Sequence, residues 1–262
     1  MSSASFETII ASAEGPIGQL TLSRPAKLNP LSTKTLREIA HAARWFDDNR
    51  SVKVVIVSGA GTTFSAGADV SGFGNESGND GLTAREAADT GREMAEAMEQ
   101  MRAVTIAAVR GHCIGGGLVL AAACDLRIAA DDTYFSIPEV DLGIPLAWGG
   151  IPRLVREIGP AMARELVLTC RPFSAEEAKD LGFLNRVVPA DEVLAQANAL
   201  AEELATKSSL TLQVTKRHVN AVLESMSNAG RNLADADSLV AALHDPESRE
   251  RGAEYLKRVR KT

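Results

Sequence analysis

The most constraining feature of this chain is a glycine run that separates a predicted apolar strand from a predicted apolar helix. The strand covers Val104–Val109, the run ends at 115–117, and the helix follows at 118–123. The first N–H groups of a helix have no partner within it, and the helix dipole makes them partly positive. Glycine lets a bound group come close to that backbone, so this junction suits an anion. No Lys or Arg lies between Gly111 and Asp125, which favours a transient oxyanion.

A second small-residue segment follows another predicted strand. Residues 64–69 have the sequence FSAGAD and come after the β-branched run at 52–57. Two strand ends of this kind can each direct one backbone N–H at a single oxygen, and two such donors suit the enolate of a thioester. The alternative, that the glycines only permit a tight turn and close helix packing, stays open.

Length and composition limit the fold and the partners. The 262 residues fit one large domain or one domain with a helical appendage, and 45% apolar content is ordinary for a globular protein. A net charge of −6, with no basic stripe apart from 257–261, predicts no nucleic-acid partner. No apolar run is long enough to cross a bilayer and no signal-peptide pattern is visible, so no membrane association is expected. Cys113, Cys124 and Cys170 lack metal-ligand spacing, which predicts reduced thiols, a cytoplasmic location and no bound metal.

Strand and helix patterns alternate along the first part of the chain, which predicts a largely parallel sheet with helical crossovers. We expect strands at 6–10, 17–22, 52–57, 104–109 and 125–129, a helix capped by Ser32, and a helix at 83–102. Beyond Gly159 the apolar spacing becomes helical, with further helices at 193–204, 212–223 and 233–243. The polar segment 71–81 predicts a mobile loop, either a flap beside the site or a plain surface insertion.

Carboxylates are the main candidates for chemistry, because the chain has no motif of a nucleotide-binding loop, a zinc protease or a serine hydrolase. Glu139 lies in the apolar segment 134–145, where burial would raise its pKa toward a range useful for proton transfer. Two alternatives stay open: Glu139 caps a helix, or it pairs with an arginine such as Arg153 or Arg127. Asp141 is a nearby competitor, and in an extended backbone both carboxylates would point to the same face.

Three segments together resemble the crotonase superfamily, the enoyl-CoA hydratase/isomerase family. They are 64–69, 111–117 with the following Cys124-Asp125, and 138–150, and their order and spacing match over nearly the whole chain. The resemblance implies an α/β fold, a crotonase-like spiral of ββα units at 1–195 that binds CoA and the acyl group. It also implies a C-terminal helical trimerisation region at 196–262, and therefore a homotrimer or a dimer of trimers.

The resemblance also implies an acyl-CoA thioester as the small-molecule substrate, with coenzyme A as part of that substrate and no separately bound cofactor. The thioester carbonyl oxygen would lie between the N–H groups of Ala68 and Gly116. Tyr255 and Arg258 would lie near a neighbouring subunit's CoA. The implied substrate-binding positions are Lys27, Leu28, Ser65, Ala66, Asp69, Val70, His112, Ile114, Gly115, Val119, Pro138, Leu142 and Trp148.

The catalytic residues of the family match this chain only in part. Hydratases of the family use two glutamates, and the chain has Glu139 at the second position but Val119 at the first. The dienoyl-CoA isomerase and dehalogenase branches place an aspartate where this chain has Ala147. The resemblance therefore predicts a single-glutamate enzyme that moves a proton, converting 3-enoyl-CoA to 2-enoyl-CoA. Two alternatives stay open: a 2-enoyl-CoA hydratase in which Asp141 or a water replaces the lost group, and an acyl-CoA-binding protein without activity.

Overall fold

A computed structural model describes residues 2–70, 83–227 and 234–259. The predicted flap at 71–81 lies outside the described residues. The strands are β1 (Ser2–Ala4), β2 (Ile9–Glu14), β3 (Ile17–Leu22), β4 (Val54–Gly59), β5 (Val104–Val109), β6 (His112–Ile114), β7 (Leu126–Ala130), β8 (Tyr134–Ser136), β9 (Phe173–Ser174) and β10 (Arg186–Val188). The helices are α1 (Thr33–Asp48), α2 (Ala84–Gln100), α3 (Gly116–Ala122), α4 (Gly150–Thr169), α5 (Ala175–Asp180), α6 (Val193–Ala205), α7 (Ser209–Ser227), α8 (Asp235–His244) and α9 (Pro246–Val259).

The larger sheet confirms the predicted parallel arrangement. Its strand order is β1-β2-β3-β4-β5-β7-β10, with antiparallel pairing among β1, β2 and β3 and parallel pairing beyond β3. Every residue of β4 and β5 is buried, as expected for central parallel strands covered on both faces. One face packs on α1 and α2 in the main core, and the other face packs on Val193, Ala197 and Ala201 of α6.

The entry into the sheet differs from the prediction. The first long strand begins at Ile9 and not at Phe6, because the carboxylate of Glu38 on α1 accepts the backbone N–H groups of Glu7 and Thr8 at 3.0 and 2.8 Å. The predicted cap of α1 is confirmed, since the hydroxyl oxygen of Ser32 accepts the N–H of Thr35. Glu38 thus satisfies backbone donors just before β2, and Ser32 satisfies one in the first turn of α1.

A small second sheet begins between the predicted strand and the glycine run, where its first strand, β6, lies. Its order is β6-β8-β9, and β6 interposes three residues between β5 and α3. The chain turns at Gly111, which has φ +61° and accepts the N–H of Tyr134 at 2.8 Å. The predicted helix after the glycine run is confirmed as α3, but it follows β6 and not β5.

The C-terminal helices lie against the core elements near the glycine run. Helix α8 packs on α2, with Arg85 and Asp237 in an ion pair at 2.8 Å, and a Cβ added at Gly143 would meet the backbone of Ser248 in α9. The predicted division at 195/196 falls inside α6, whose apolar face covers the sheet, and it stays a prediction. Among the described helices, none combines the length and apolarity needed to cross a bilayer.

Candidate active site

The two small-residue segments of the sequence lie directly against each other. A parallel bridge joins Ser65 to Cys113, with the N–H of Ser65 donating to His112 at 3.0 Å and the N–H of Ile114 donating to Ser65 at 3.1 Å. The backbones are so close that a Cβ added at Gly67 would lie 2.7 Å from the carbonyl oxygen of Ile114 and 3.6 Å from the nitrogen of Gly116. The segments predicted to supply two donors are therefore neighbours in space.

The amides of Ala68 and Gly116 are not used by the secondary structure. Ala68 forms a parallel bridge with Leu31 in which Gly67 and Asp69 make the hydrogen bonds, at 2.8 and 3.1 Å, so the N–H of Ala68 points away from that partner. Gly116 is the first residue of α3, where the helix offers no acceptor. Within the part of the chain that the structure describes, neither amide donates a hydrogen bond. Both are available to an oxygen of a bound molecule.

The loop that carries Ala68 is held by two buried side chains. Ser65 donates its hydroxyl hydrogen to the carbonyl of Asn29 at 2.8 Å and accepts the N–H of Gly67 at 3.1 Å. Asn29, with φ +52°, donates to the carbonyl of Thr63 at 2.7 Å and to that of Ala60 at 2.9 Å. Ser65 thus shapes the loop from inside. Asn29 was not predicted as a site residue, although asparagine is among the side chains that tolerate a positive φ.

Glu139 lies over the start of α3, and none of the described residues is a charged partner of its carboxylate. Burial raises the pKa of its carboxyl group to about 7, and only the N–H of its own residue opposes this. Its Oε2 atom is buried and has no hydrogen-bond partner among the described residues. Its carboxyl carbon lies 3.0 Å from the point where a Cβ of Gly115 would be, and Oε1 is closer still. With φ +48° and this contact, position 115 accepts only glycine, and the carboxylate lies beside the donor Gly116.

The structural alternatives for Glu139 are not realised. Arg127 pairs with Glu157 at 2.6 Å and Arg153 pairs with Glu99 at 2.5 Å, so neither arginine is the partner of Glu139. Glu139 caps no helix either, since α4 begins only at Gly150.

Asp141 occupies a different place from Glu139. The backbone turns instead of running extended, because Leu142 donates to Pro138 and Ile144 donates to Glu139, both at 2.9 Å. Because the backbone is not extended here, the reason for expecting Glu139 and Asp141 on the same face does not apply. Asp141 is exposed and lies 3.4 Å from Arg258 of the same chain, whose guanidinium is 5.3 Å from the Tyr255 ring. The side chains expected near a neighbour's CoA thus contact their own subunit here.

The two positions at which the resemblance would place a second acid are apolar. Val119 is 1% exposed in α3, and its Cγ2 lies 2.9 Å from the point where a Cβ of Gly150 would be. Ala147 is buried as well. Glu139 therefore has no carboxylate facing it from either of these positions.

Trp148 lies against the Cα of the donor Gly116. A Cβ added at Gly116 would overlap the six-membered ring of the indole, and one added at Gly91 of α2 would overlap the five-membered ring. The residue has φ +60°, and the next residue, Gly149, donates its N–H to Asp235 at 2.8 Å. Trp148 was predicted as a site residue, but Gly91 and Asp235 were not, because these residues lie far apart along the chain.

The remaining predicted substrate-binding residues divide into four groups. Lys27 and Leu28 are exposed at the edge of the loop, where the N–H of Ala66 donates to the carbonyl of Leu28 at 2.9 Å. Asp69, next to the half-buried Val70, pairs with Arg24 at 3.1 Å. His112 is exposed, and its ring lies 5.6 Å from that of Tyr134. Pro138 is buried, whereas Ile114 and Leu142 are half-buried near Glu139.

The arrangement has the parts needed to remove a proton next to a carbonyl group. Two free amides can stabilise an oxyanion, and a buried carboxylate with a pKa near neutral can take up and return a proton. In the described ranges no group of three or more His, Cys, Asp or Glu side chains is arranged to hold a metal ion.

Comparison with known proteins gives the family. Residues 12–261 match the family model described as enoyl-CoA hydratase/isomerase. The chain is 38% identical over 86% of both chains to a probable enoyl-CoA hydratase, echA8, of Mycobacterium bovis. It is also 38% identical, over 80% of both chains, to a peroxisomal Delta(3,5)-Delta(2,4)-dienoyl-CoA isomerase of Arabidopsis thaliana.

The solved structures agree with this result and confirm the fold. A crystal structure of an enoyl-CoA hydratase/isomerase from Mycobacterium paratuberculosis superposes with a TM-score of 0.87 at 26% identity, covering 96% of this chain and all of that one. The chain therefore belongs to the enoyl-CoA hydratase/isomerase family of the crotonase superfamily.

Proposed function

We propose that this protein is a 3,2-enoyl-CoA isomerase in which Glu139 is the single acid–base residue. The observation that carries the proposal is the isolation of Glu139: its carboxylate is buried beside two unused amides, and the position of the second family glutamate holds the buried Val119. A proton shift within one molecule needs one group that removes the proton and returns it.

The reaction proceeds in two proton transfers. The thioester oxygen accepts hydrogen bonds from the amides of Ala68 and Gly116, and the Glu139 carboxylate removes a proton from C2 of the 3-enoyl group. The C2 electron pair enters the conjugated system as a dienolate, whose oxyanion the two amides stabilise. Glu139, now protonated, returns the proton to C4, the double bond forms between C2 and C3, and the carboxylate is regenerated.

Hydration of a 2-enoyl-CoA is the second candidate, and the names of the related hydratases favour it. Adding water requires a base for the water and an acid for the α-carbon. Asp141 or a bound water would have to supply one of these roles, and Asp141 is exposed and lies beside Arg258 on the other side of a turn. The separation of Glu139 and Asp141 therefore favours the isomerase over the hydratase.

The proposal includes the binding path and the assembly. CoA would run along Lys27, Leu28 and Ala66, which form one edge of the donor loop, and the reaction would need no other cofactor. We propose a homotrimer or a dimer of trimers, which sedimentation would show as three or six times the mass of one chain. The buried free thiols of Cys113 and Cys124 support a cytoplasmic location.

Steady-state kinetics with paired substrates test this function. The wild-type protein should convert a 3-enoyl-CoA to the 2-enoyl-CoA and hydrate the 2-enoyl-CoA far more slowly. The matched variant Asp141→Asn should keep both rates, because Asp141 lies outside the site. Rapid hydration that Asp141→Asn abolishes would contradict the proposal, as would tight binding of both thioesters without turnover.

A further inference from the structure

Trp148 fills a slot between two helices at the point where an acyl chain would leave the donor amides. The five-membered ring of the indole lies against Gly91 of α2, and the six-membered ring lies against Gly116 at the start of α3. Any side chain at either glycine would overlap the indole. Gly91 lies inside a helix, where glycine is usually unfavourable, so its presence fits a requirement for space.

The indole is held in this slot by contacts on the backbone that follows it. The side chain of Asp235 on α8 accepts the N–H of Gly149 at 2.8 Å, and Arg153 donates to the carbonyl of Gly149 at 3.0 Å. Arg153 is itself paired with Glu99 of α2 at 2.5 Å. These bonds fix a residue whose φ of +60° is costly for a tryptophan, and such strain is often found at functional sites.

The contact with Gly116 places the indole next to the reacting group. A thioester oxygen that accepts a hydrogen bond from the N–H of Gly116 lies within a few bond lengths of the Gly116 Cα. The indole covers that Cα on the side facing α2. Met94 and Met98 follow Gly91 at helical spacing on α2 and are fully buried. Both methionines belong to the buried cluster on which Trp148 packs, and methionine is a flexible side chain that adapts to changes in packing.

We propose that Trp148 is the specificity-determining residue that restricts the acyl group to a short chain. The inference rests on the proposed function, since it takes the acyl-CoA orientation from it. The ring blocks the passage between α2 and α3, so an acyl chain that extends beyond the reacting carbons meets the indole. A short acyl group ends in contact with the ring.

Binding of saturated acyl-CoA esters tests the inference without any turnover. The chain contains two tryptophans, Trp45 and Trp148, so the Trp45→Phe variant leaves Trp148 as the only indole emitter. That variant is titrated with CoA, butanoyl-CoA and decanoyl-CoA while the Trp148 emission is recorded. Butanoyl-CoA should change the emission, whereas CoA, which has no acyl group, should leave it nearly unchanged. Decanoyl-CoA should bind at least about tenfold more weakly than butanoyl-CoA, a discrimination typical of methylenes that do not fit a pocket.

Calorimetric titration of substituted proteins completes the test. Trp148→Ala should abolish the preference for butanoyl-CoA, and Trp148→Phe, which keeps a smaller flat ring, should reduce it. A wild-type protein that binds both esters equally would overturn the inference even if no variant folds, and so would an unchanged preference in Trp148→Ala. Failure of the wild-type protein to bind any acyl-CoA would instead overturn the proposed function, so the two failures are distinguishable.

Discussion

Glu99 and Glu139 are both largely removed from water, yet their surroundings give them opposite properties. Glu99 on α2 bonds to Arg153 and Arg156. Burial alone would raise the pKa of Glu99, but the two guanidinium groups outweigh it and hold the pKa below its ordinary value. Glu139 has no such partner, and burial raises its pKa to about 7. A paired carboxylate stabilises the fold, whereas an unpaired one can exchange a proton near neutral pH.

The largest expected difference between the two carboxylates is catalytic. Glu139→Gln should lower kcat for a 3-enoyl-CoA by roughly 10⁴-fold, the upper end for a general acid–base residue, because the apolar Val119 and Ala147 cannot take its role. The measurement is the steady-state rate at saturating substrate, with circular dichroism to verify folding. Turnover within a few-fold of the wild type would show that Glu139 is not the base.

Stability should respond to the other carboxylate. Glu99→Gln leaves the buried Arg153 without its charged partner and leaves Arg156 paired with Glu157 alone, so the free energy of unfolding should fall by about 3–5 kcal/mol. Urea denaturation at neutral pH measures this loss. Glu139→Gln serves as the comparison and should not be destabilised under the same conditions. Equal effects of the two substitutions would remove the distinction between paired and unpaired carboxylates.

The pH dependence of stability should also separate the two groups. The folded protein holds the Glu139 proton up to a pH of about 7, above the ordinary value of 4.5, so its contribution to stability is complete below pH 4.5 and is lost as the pH rises through 7. The shift corresponds to about 3 kcal/mol. Glu99 has the opposite sign, because its lowered pKa gives stability that is lost in acid.

The difference between wild type and Glu139→Gln isolates the contribution of Glu139. The free energy of unfolding of the glutamine variant, relative to that of wild type, should be higher at pH 8 than at pH 4. Urea denaturation of both proteins at these two pH values would show the change. A pH-independent difference would contradict a raised pKa of Glu139 in the folded protein.

The smallest effect is expected in the pH dependence of catalysis by the wild-type enzyme. Because Glu139 must be ionised to act as a base, kcat/KM should fall about tenfold per pH unit below an apparent pKa of about 7. Asp141→Asn should show the same profile, since Asp141 is exposed and outside the site. A rate that stays constant down to pH 5 would place the catalytic pKa near that of an ordinary glutamate.

The sequence predicted the parts of the molecule that follow local patterns. The apolar runs of β4 and β5 indicated a buried parallel sheet, and the apolar surroundings of Glu139 indicated a raised pKa, which the structure supports. The three-residue strand β6 was not predicted, because a strand so short carries no periodicity.

Long-range contacts explain most of what the sequence could not supply. The sequence could not show that Glu139 lacks an arginine partner, because Arg153 pairs with Glu99 and Arg127 pairs with Glu157. The packing of Trp148 against Gly91 likewise joins segments that are distant in sequence. Which groups meet across the fold is a tertiary property that no local spacing encodes.

Isotope labelling of the product tests the central claim most directly. A 3-enoyl-CoA is incubated with the wild-type enzyme in deuterium oxide or in water labelled with the heavy isotope of oxygen, and the CoA thioesters are analysed by mass spectrometry. Proton transfer by Glu139 alone predicts a 2-enoyl-CoA of unchanged oxygen content, with at most deuterium exchanged at carbon. Heavy oxygen in a hydroxyacyl-CoA as the main product would contradict the account.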